Sequence, residues 1–524
     1  MPKLWTWRRI LQIAGLAFLG ILQAVAALVV GYLGSRALTV DVPFNGQLLP
    51  LGLASAAMLL IVSRILQKRY SERFALGYVA ELRTSFMSHV LCTPVDTPTL
   101  SNGLIMTRVV NDMSAIKLWL SSGLVAMVVA AAVLLFTATA LTVLVPGMAV
   151  TIFAAVLFWC IPVVICLNPL QRHIRNSRRH RGRIASRAGA ALASRVTLIA
   201  FGRRGPTIRR FARLSQKLNA ALVARASLSG LMRASGDLIF PVVVLITYIN
   251  ISWLSGSRLD AVSLGVLIMM TGLMATHLSA VALGLEYRLA HRVAMERIRS
   301  VFTKPSIDPE AGERLPRCNG PRGLVVEGVP VGHLGTVISF SAAPGEWVWL
   351  NGLSEAEADD LALKVARLKE TDSGHIELDG MAADRVRARH WWRDVTVLSP
   401  RLGLFQASVE TNATLGARSM YAAAEQARIL QAFGLSEEIM AIPFEQDTQY
   451  DSVGAHAIRA ARTVLRGSTL VLVTDADLIA DEPIFDVFLR EMKSAGATVI
   501  LAGHLPQKRR QRFTRIDTVR QSAA

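Results

Sequence analysis

The sequence predicts a multidomain membrane protein: an all-α half with six transmembrane helices, followed by an α/β half. The 524-residue chain is 52% hydrophobic and has a mean hydropathy of +0.41, which is too apolar for a soluble protein of this size. Residues 1–304 hold 33 Lys and Arg against 9 Asp and Glu, whereas residues 305–524 hold 24 against 29. The two halves therefore belong to different structural classes.

Six apolar runs are long enough to cross a bilayer as helices. They are residues 11–33, 48–66, 118–145, 147–170, 238–254 and 264–285. The first run is longer than the apolar core of a signal peptide and no small-residue cleavage site follows it, which favours a retained first span. The connections alternate between short loops with few charges and long basic loops, and the basic loops are expected on the cytoplasmic side of an inner or plasma membrane, together with the N-terminus and the α/β half.

The long basic loops cover residues 67–117 and 171–236, and the second holds sixteen Arg and Lys and no acid. Its composition fits either an extreme positive-inside bias or a surface for anionic lipid or an acidic partner. Apolar residues recur at three- and four-residue intervals in both loops, for example Leu82, Phe86 and Val90 in the first. This period predicts helices that extend well beyond the membrane.

Charge, proline and glycine between residues 305 and 322 predict a linker, which gives domains at 1–304 and 323–524. After the linker, short apolar runs alternate with helical patterns, as expected for an α/β domain with a partly parallel sheet. The predicted strands are residues 323–327, 336–340, 347–350, 395–398, 470–473 and 498–501. The four cysteines have neither metal-ligand nor redox spacing, so we expect no metal site, and nothing indicates a nucleic-acid partner.

The stretch NGLSEAEADDLA, residues 351–362, lies between a predicted strand and a predicted helix, which is the setting of a phosphate-binding P-loop. A P-loop places glycines in the turn, a lysine at the helix start and a hydroxyl beside it. After Gly352, the glycine positions hold Glu355 and Glu357, and the next two positions hold Ala358 and Asp359. Carboxylates in this turn oppose a triphosphate.

The same stretch is also an ordinary capped helix start. Ser354 is a good N-cap, and Glu357 three residues later completes a capping box. Acidic side chains are favourable at the positive end of a helix. We interpret the two readings as compatible, with acidic side chains at a helix N-terminus that once faced phosphates.

Several segments, in order and at the expected separations, resemble an ABC exporter half-transporter. TPTLSNGLIMTRVVNDMSAIK, residues 97–117, resembles the first intracellular loop of that family, with matches at Gly103, Arg108, Asn111 and Asp112. In the second half, PGEWVWLNG, LGLFQASVETNATLG, AARTVLRGSTLVLV and ATVILAGHLP are similar to framework segments of its nucleotide-binding domain. The resemblance implies a six-helix exporter membrane domain joined to a P-loop-type nucleotide-binding domain.

The resemblance also shows which catalytic positions have changed. Pro400 stands at the Q-loop glutamine, and Walker B ends in Thr474 and Asp475 where the family has Asp and Glu. A metal-holding carboxylate is thereby lost and the general base is shortened. The resemblance therefore implies a degenerate domain that does not hydrolyse ATP on its own.

Four further positions complete the comparison with the family. The signature segment DSVGA retains Ser452 and Gly454, His504 holds the position of the switch histidine, and His333 is the nearest stand-in for an adenine-stacking aromatic.

Within the spans, Asp237 and His277 are candidates to line a translocation path, because ionisable groups in membranes tend to be functional. Helix packing is an equal explanation for His277.

The resemblance implies a heterodimer in which an intact second half-transporter binds Mg-ATP and this chain binds no cofactor. Binding at the partner's site would close the pair and drive export. The alternative is an ATP-independent membrane scaffold or regulatory protein that retains the exporter fold. Loss of both P-loop and signature residues favours the scaffold, whereas retention of His504 and of the loop framework favours transport.

Overall fold

A computed structural model describes residues 1–37, 48–95, 102–144, 148–249, 261–318, 320–332, 336–405, 407–418, 421–440 and 454–517. The chain divides into two compact units. The helical unit comprises residues 1–90 and 99–304, and the α/β unit comprises residues 91–98 and 305–524.

The helical unit is built from long α-helices, interrupted by two π-helical turns at Arg108–Asp112 and Trp119–Leu124. The helices are α1 (Trp7–Ala37), α2 (Leu48–Leu91), α3 (Asn102–Thr107), α4 (Met113–Leu118), α5 (Val125–Leu144), α6 (Met148–Ala193), α7 (Arg195–Ala200), α8 (Arg204–Asp237), α9 (Ile239–Ile249) and α10 (Ala261–Phe302).

Within the described residues, six helical stretches are long and apolar enough to span a membrane, which confirms the predicted number of spans. The predicted extensions are helical too: α6 runs for 46 residues. At 1.5 Å per residue this is about 69 Å, more than twice the thickness of the hydrocarbon core. The helices α2 and α8 are similarly long, at 44 and 34 residues. The protein is an integral membrane protein whose helices continue far beyond the bilayer.

The α/β unit alternates strands and helices. The strands are β1 (Leu324–Val331), β2 (Thr336–Ala342), β3 (Trp347–Asn351), β4 (His375–Leu378), β5 (Met381–Ala382), β6 (Val395–Leu398), β7 (Leu470–Val473), β8 (Thr498–Ala502) and β9 (Thr514–Asp517). The helices are α11 (Glu355–Val365), α12 (Ala388–Asp394), α13 (Val409–Ala413), α14 (Ala423–Ala432), α15 (Glu437–Met440), α16 (Ala455–Arg466), α17 (Ala476–Ala480) and α18 (Glu482–Ser494).

Two sheets organise this unit. An antiparallel sheet has the order β2-β1-β4-β5, and a parallel sheet has the order β6-β7-β8-β3-β9. Every residue of β7 and β8 is buried, as expected for central strands of a parallel sheet covered on both faces. The six predicted strands are all present, whereas β4, β5 and β9 were not predicted. The carboxyl ends of the parallel strands meet at one edge, where ligands usually bind in such sheets.

The segment that the sequence predicts as a linker packs within the α/β unit. Leu315 and Arg322 are each only 3% exposed. Arg322 donates hydrogen bonds to Asp394 at 2.9 Å and to Asp379 at 2.8 Å. Burial alone would raise the pKa of Asp394, but Arg393 and Arg322 outweigh it and hold that pKa below its usual value. These ion pairs attach the segment before β1 to helix α12.

Candidate functional site

The candidate site is the edge of the parallel sheet where β3, β6, β7 and β8 end. The turn from β3 into α11 contains Gly352 with a φ of +97°, a conformation that favours glycine. Before it, the Asn351 side chain donates to Asp517 Oδ1 at 2.8 Å and joins β3 to β9. The chain thus runs from strand to turn to helix at this point, as the sequence predicts, and the chemistry of the turn depends on the side chains that follow.

The first of these side chains, Glu357, is turned back toward the loop. Its Oε2 accepts from the backbone N–H of Ser354 at 3.0 Å and from the Ser354 hydroxyl at 2.7 Å, which confirms the predicted capping box. Its Oε1 accepts from the Thr336 hydroxyl at 2.6 Å. A Cβ atom added at Gly332 would lie 2.9 Å from Glu357 Cγ, so the side chain also fills the space beside the β1–β2 loop. Glu357 therefore joins the start of α11 to β2.

Asp359 connects three elements of the edge through one carboxylate. Its Oδ1 accepts two hydrogen bonds at 2.8 Å, one from the Ser399 hydroxyl after β6 and one from the Thr474 hydroxyl after β7. The Arg401 guanidinium lies 3.4 Å from the other oxygen, Oδ2. Ser399 is fully buried and Thr474 is 6% exposed. The carboxylate is thus held by protein hydroxyls at the position where the resemblance places a metal-binding hydroxyl.

Asp360 makes a third set of contacts. Its Oδ2 accepts from the backbone N–H of Gly332 at 3.0 Å and lies 3.5 Å from the Lys364 ammonium, and Oδ1 accepts from Lys369. Burial favours a raised pKa for Asp360, but the Lys369 and Gly332 hydrogen bonds and the two lysine charges together hold that pKa below its usual value. Asp360 is therefore ionised at neutral pH and satisfied by its own domain.

Ala358 lies at the position where a P-loop carries its lysine. It is 1% exposed and packs into the hydrophobic cluster under α11 together with Leu361 and Ala362. Glu355, one turn earlier, is exposed. The helix start thus offers phosphate no ammonium from position 358 and adds negative charge beside it.

Asp475, at the position of the catalytic glutamate, is fully buried and engaged by other protein groups. Arg459 on α16 donates to its Oδ2 from Nε at 2.7 Å, and its Oδ1 accepts from the backbone N–H of Leu478 at 3.4 Å, which caps α17. Both carboxylate oxygens of Asp475 thus accept from groups of its own domain. Asp475 therefore acts here as a structural ion-pair partner and a helix cap.

The remaining predicted positions that the structure describes lie in different parts of the α/β unit. Pro400 lies exposed in the turn after β6, and His504 is exposed after β8. Gly454 is the N-cap of α16, and a Cβ there would meet the His456 ring at 2.0 Å. His333 and Ser452 lie outside the described residues. Of the predicted positions, the structure brings Asp359 into direct contact with Thr474, and Ser354 into direct contact with Glu357.

The side chains at this edge do not fit bound Mg-ATP. A triphosphate is held by N–H donors and ammonium groups, whereas Glu357, Asp359 and Asp360 present carboxylates that already accept protein donors. A carboxylate about 4 Å from a phosphate costs about 1 kcal/mol in water and about 4 kcal/mol at an effective dielectric constant near 20. Among the described residues there is also no group of three or more His, Cys, Asp or Glu arranged to hold a metal.

The two candidate pathway residues of the helical unit have different environments. Asp237 is exposed at the end of α8 and accepts from the Ser279 hydroxyl on α10 at 2.6 Å. His277 is half-buried, and within the described residues its Nε2 atom is buried without a hydrogen-bond partner. Asp237 therefore fixes the contact between α8 and α10, whereas His277 retains an unused polar atom between the helices.

Glu286 is an important polar residue that the sequence did not single out. It is 6% exposed on α10 and accepts from the Arg225 guanidinium at 2.7 and 3.0 Å and from the Ser229 hydroxyl. Asp112 forms a comparable pair with Arg178 at 2.8 Å. The available signal was composition: Glu286 is one of only nine acids in residues 1–304 and directly follows the sixth apolar run.

The sequence of this chain is similar to those of known transport proteins. A family model described as "ABC transporter transmembrane region" matches residues 10–281. An "ATP-dependent lipid A-core flippase" of Pseudomonas aeruginosa is 27% identical over 178 residues, which cover 32% of this chain and 30% of that protein. An "ABC-type transporter cctS" of Talaromyces islandicus is 28% identical over 181 residues, which cover 32% of this chain and 12% of that protein. The matched segment thus spans less than a third of the length of these relatives.

The fold of the whole chain is also similar to a solved structure, described as "Structure of a bacterial Atm1-family ABC exporter with ATP bound". The TM-score is 0.80 with 17% sequence identity, and the match covers 98% of this chain and 93% of that chain. At this identity the similarity concerns the fold. It includes both the helical unit and the α/β unit.

Proposed function

The chain belongs to the ABC transporter transmembrane region family, and from this premise we propose that it is the non-hydrolysing half of a heterodimeric ABC exporter. A second half-transporter with an intact P-loop binds and hydrolyses Mg-ATP. This chain supplies half of the membrane path, and closure of the paired cytoplasmic domains changes the conformation of the spans.

The observation that carries the proposal is the bonding of Asp359. Its carboxylate occupies the metal-side position of the P-loop and is held by Ser399, Thr474 and Arg401. With Ala358 in the lysine position and packed in the core, this turn has lost both charges that attract a triphosphate. Energy for transport therefore comes from another polypeptide.

The buried pair between Arg459 and Asp475 supports the same proposal from the catalytic side. Asp475 is fully buried, and its two oxygens accept from Arg459 and from the first turn of α17, so this carboxylate has a structural role inside the domain. This chain's contribution to the partner's site is limited to the signature residues Ser452 and Gly454. Its own P-loop is expected to bind no nucleotide and to hydrolyse none.

The cargo is proposed to be an amphipathic molecule. The spans carry few charges, which suits a lipid, a peptide or another amphiphile. Relatives named lipid A-core flippases, which match about a third of the chain, make a lipid the first class to test. The direct measurement uses the two half-transporters reconstituted together in vesicles. It follows the transport of a lipid that is labelled on its headgroup.

The decisive experiment is purification from native membranes. We expect this chain to co-purify with a second half-transporter whose P-loop is intact, and we expect the complex to hydrolyse ATP. Mutating the partner's P-loop lysine abolishes that activity. Turnover of ATP by the purified single chain, or tight binding of Mg-ATP to it, contradicts the proposal.

A restoration experiment tests the P-loop directly. Replacing Ala358 by Lys, with glycines at positions 355 and 357, restores the P-loop composition while Asp359 and Thr474 remain. Because Asp359 still occupies the metal side, we expect ATP affinity to remain unchanged. A large gain in affinity would show that the lysine and glycines alone were limiting.

A second candidate function is an ATP-independent scaffold or regulatory protein in the membrane. It is favoured by the exposed guanidinium groups along α6 and α8, for example Arg179, Arg187 and Arg209, which form a basic surface for anionic lipid or an acidic protein. Stable isolation without any half-transporter, together with salt-sensitive binding to phosphatidylglycerol vesicles, would support the scaffold. If the chain is not stable without a half-transporter and does not bind these vesicles, the scaffold function is excluded and the transporter function is favoured.

A further inference from the structure

The positions of a carboxylate and a hydroxyl are exchanged at the edge of the sheet. In the family that the sequence resembles, the P-loop helix supplies the hydroxyl and the end of the Walker B strand supplies the carboxylate. Here α11 supplies the carboxylate of Asp359, and the residue after β7, Thr474, supplies the hydroxyl. The two groups lie 2.8 Å apart, so a direct hydrogen bond joins α11 to the residue after β7.

We propose that Asp359 is a built-in replacement for the metal and the nucleotide. Its carboxylate holds three elements together without any ligand: helix α11, the turn that follows β6, and the end of β7. This deepens the proposed function, because it states how a half-transporter without nucleotide keeps its own domain ordered. We call Glu357, Asp359, Asp360 and their donors the carboxylate network.

The bonding of Asp359 uses protein donors where a metal site would use a cation. Mg²⁺ is held by oxygen ligands at about 2.0–2.1 Å in an octahedral arrangement. Asp359 Oδ1 instead accepts from the hydroxyls of Ser399 and Thr474, both at 2.8 Å, and Oδ2 lies 3.4 Å from the Arg401 guanidinium. Both carboxylate oxygens are therefore engaged within the domain without any cation.

The other members of the carboxylate network extend the same effect to the nucleotide side. Glu357 binds Thr336 at 2.6 Å and fills the space beside Gly332. Asp360 accepts from the Gly332 backbone N–H at 3.0 Å. Gly332 and Thr336 are therefore attached to the start of α11 by two side chains, and the carboxylates also complement the positive end of the helix. Together with Asp359 they connect α11 to β2, to the end of β1 and to the residues that follow β6 and β7.

The consequence is that this domain should not respond to nucleotide. A ligand shifts a conformational equilibrium only by its difference in affinity for the two states, and a site that is already closed by its own side chains offers no such difference. In a pair with an intact partner, a single Mg-ATP at the partner's site would therefore suffice for closure, because this side is already ordered.

Hydrogen exchange of the full-length chain in lipid nanodiscs tests this proposal. We expect amides of residues 354–362 and 470–475 to exchange slowly without ligand and to show no change on addition of millimolar Mg-ATP. Asp359→Ser removes the acceptor shared by Ser399 and Thr474 and should accelerate exchange in both segments by about tenfold or more. Asp359→Asn keeps the shape and one acceptor oxygen, and should lie between the two.

Glu355→Gln is the matched control. It removes one carboxylate from the same first turn of α11, but Glu355 is exposed and outside the carboxylate network. We expect its exchange to match that of the unmodified chain. If hydrogen exchange accelerates equally in Glu355→Gln and Asp359→Asn, the loss of a negative charge at the positive end of the helix explains the acceleration. That result would overturn the proposal.

A reciprocal exchange gives the second measurement. Thr474→Asp alone places two carboxylates against each other, so its melting temperature should fall most, and millimolar Mg²⁺ should restore part of it. Combining Asp359→Ser with Thr474→Asp returns a hydroxyl and a carboxylate to the pair with the polarity reversed, and should be more stable than Thr474→Asp. Additive effects of the two changes would show that these side chains do not bind each other.

These outcomes are independent of the partner. The proposal for Asp359 is overturned if the unmodified chain exchanges slowly only in the presence of Mg-ATP, or if Asp359→Ser does not change the exchange. Either result leaves the proposed pairing with an intact half-transporter untouched. Failure to find a partner overturns the heterodimer while the exchange results still stand.

Discussion

The interior of the parallel sheet and its carboxyl edge differ in the contacts that stabilise their residues: apolar packing in the interior, and hydrogen bonds and ion pairs at the edge. The interior strands β7 and β8 are buried along their whole length, and Leu472 and Ile500 pack in the hydrophobic core. At the edge, only a few ångströms along the same strands, Thr474 and Asp475 have polar partners from other elements. The interior retains the framework of the family that the sequence resembles, whereas the edge has changed its chemistry.

This difference separates a packing constraint from a ligand constraint. Apolar interiors are close-packed, so a change of even one methylene is destabilising whether or not the domain binds anything. An edge that binds no ligand can change its residues, provided that every buried polar group finds a new partner. Asp359, Asp360 and Asp475 each have such partners within the domain.

The largest effect is expected from Asp475→Ala. It leaves the Arg459 guanidinium, whose side chain is 8% exposed, without its partner and also removes the cap of α17. Breaking a buried ion pair by removing one partner typically costs about 3–5 kcal/mol of unfolding free energy. Chemical unfolding of the α/β unit followed by tryptophan fluorescence measures this.

The control for this prediction is Arg459→Met combined with Asp475→Asn, which removes the charge of both partners and keeps an amide oxygen for the cap. We expect most of the lost stability to return. If Asp475→Ala changes the unfolding free energy by less than about 1 kcal/mol, the ion pair does not stabilise the domain, and Asp475 has no structural role in place of a catalytic one.

The second prediction compares the two faces of α11. Leu361 is fully buried in the core under the helix, and Leu361→Ala should lower the unfolding free energy by about 2–5 kcal/mol because it removes apolar contacts and leaves a cavity. Glu355→Gln on the exposed face should change it by less than about 0.5 kcal/mol. Similar effects at both positions would show that α11 is not packed as the structure describes.

Interior and edge were also unequally predictable from the sequence. Four strands of the parallel sheet, β3, β6, β7 and β8, are short and largely apolar runs that could be assigned from local pattern alone, as could β1 and β2 of the antiparallel sheet. Strand β9 was missed because it reads TRID and lies at the edge of the sheet, with three of its four residues exposed. Strand β4 is short, and its sequence HIEL carries only two buried residues.

At the carboxyl edge, local contacts were predictable and distant ones were not. The capping box between Ser354 and Glu357 spans three residues and follows from their types. The bond between Asp359 and Thr474 joins residues 115 positions apart, and its geometry depends on the arrangement of β3, β6 and β7. The exchanged positions could be identified by resemblance, but the fact that they bind each other required the fold.

The third prediction concerns acid stability. Asp360 and Asp394 have pKa values below their usual range in the folded protein because lysine and arginine groups outweigh their burial. A lowered folded pKa means that both groups stabilise the fold fully above the unfolded value, near 4, and that this stability is lost as the pH falls through the folded pKa.

We therefore expect the unfolding free energy to decline steeply below about pH 4. In Asp360→Asn the protein is less stable at neutral pH, and the difference from the unmodified chain should narrow as the pH falls through that range. Unfolding measured at a series of pH values provides the test. A constant difference across the series would show that the ionised form of Asp360 contributes no stability.

A smaller effect is expected from Ser354→Ala. The change removes the hydroxyl that accepts from the Glu357 backbone N–H and donates to its carboxylate, while the backbone contact at 3.0 Å remains. Loss of such a cap costs about 1 kcal/mol. Ser354→Thr retains the cap and serves as the control. Since the cap is exposed, the difference is measured best by hydrogen exchange of the first turn of α11.

The smallest effect is expected from His504→Ala in the complex with an intact partner. His504 is exposed at the end of β8, beside an edge whose carboxylates are bound by its own domain. If this edge binds no phosphate, the histidine has no charge to sense, and steady-state ATP hydrolysis should be unchanged. Replacing the partner's corresponding histidine should instead reduce hydrolysis strongly. Equal losses from the two substitutions would mean that both edges take part in hydrolysis, and the contrast between a retained interior and a replaced edge would no longer describe how this chain works.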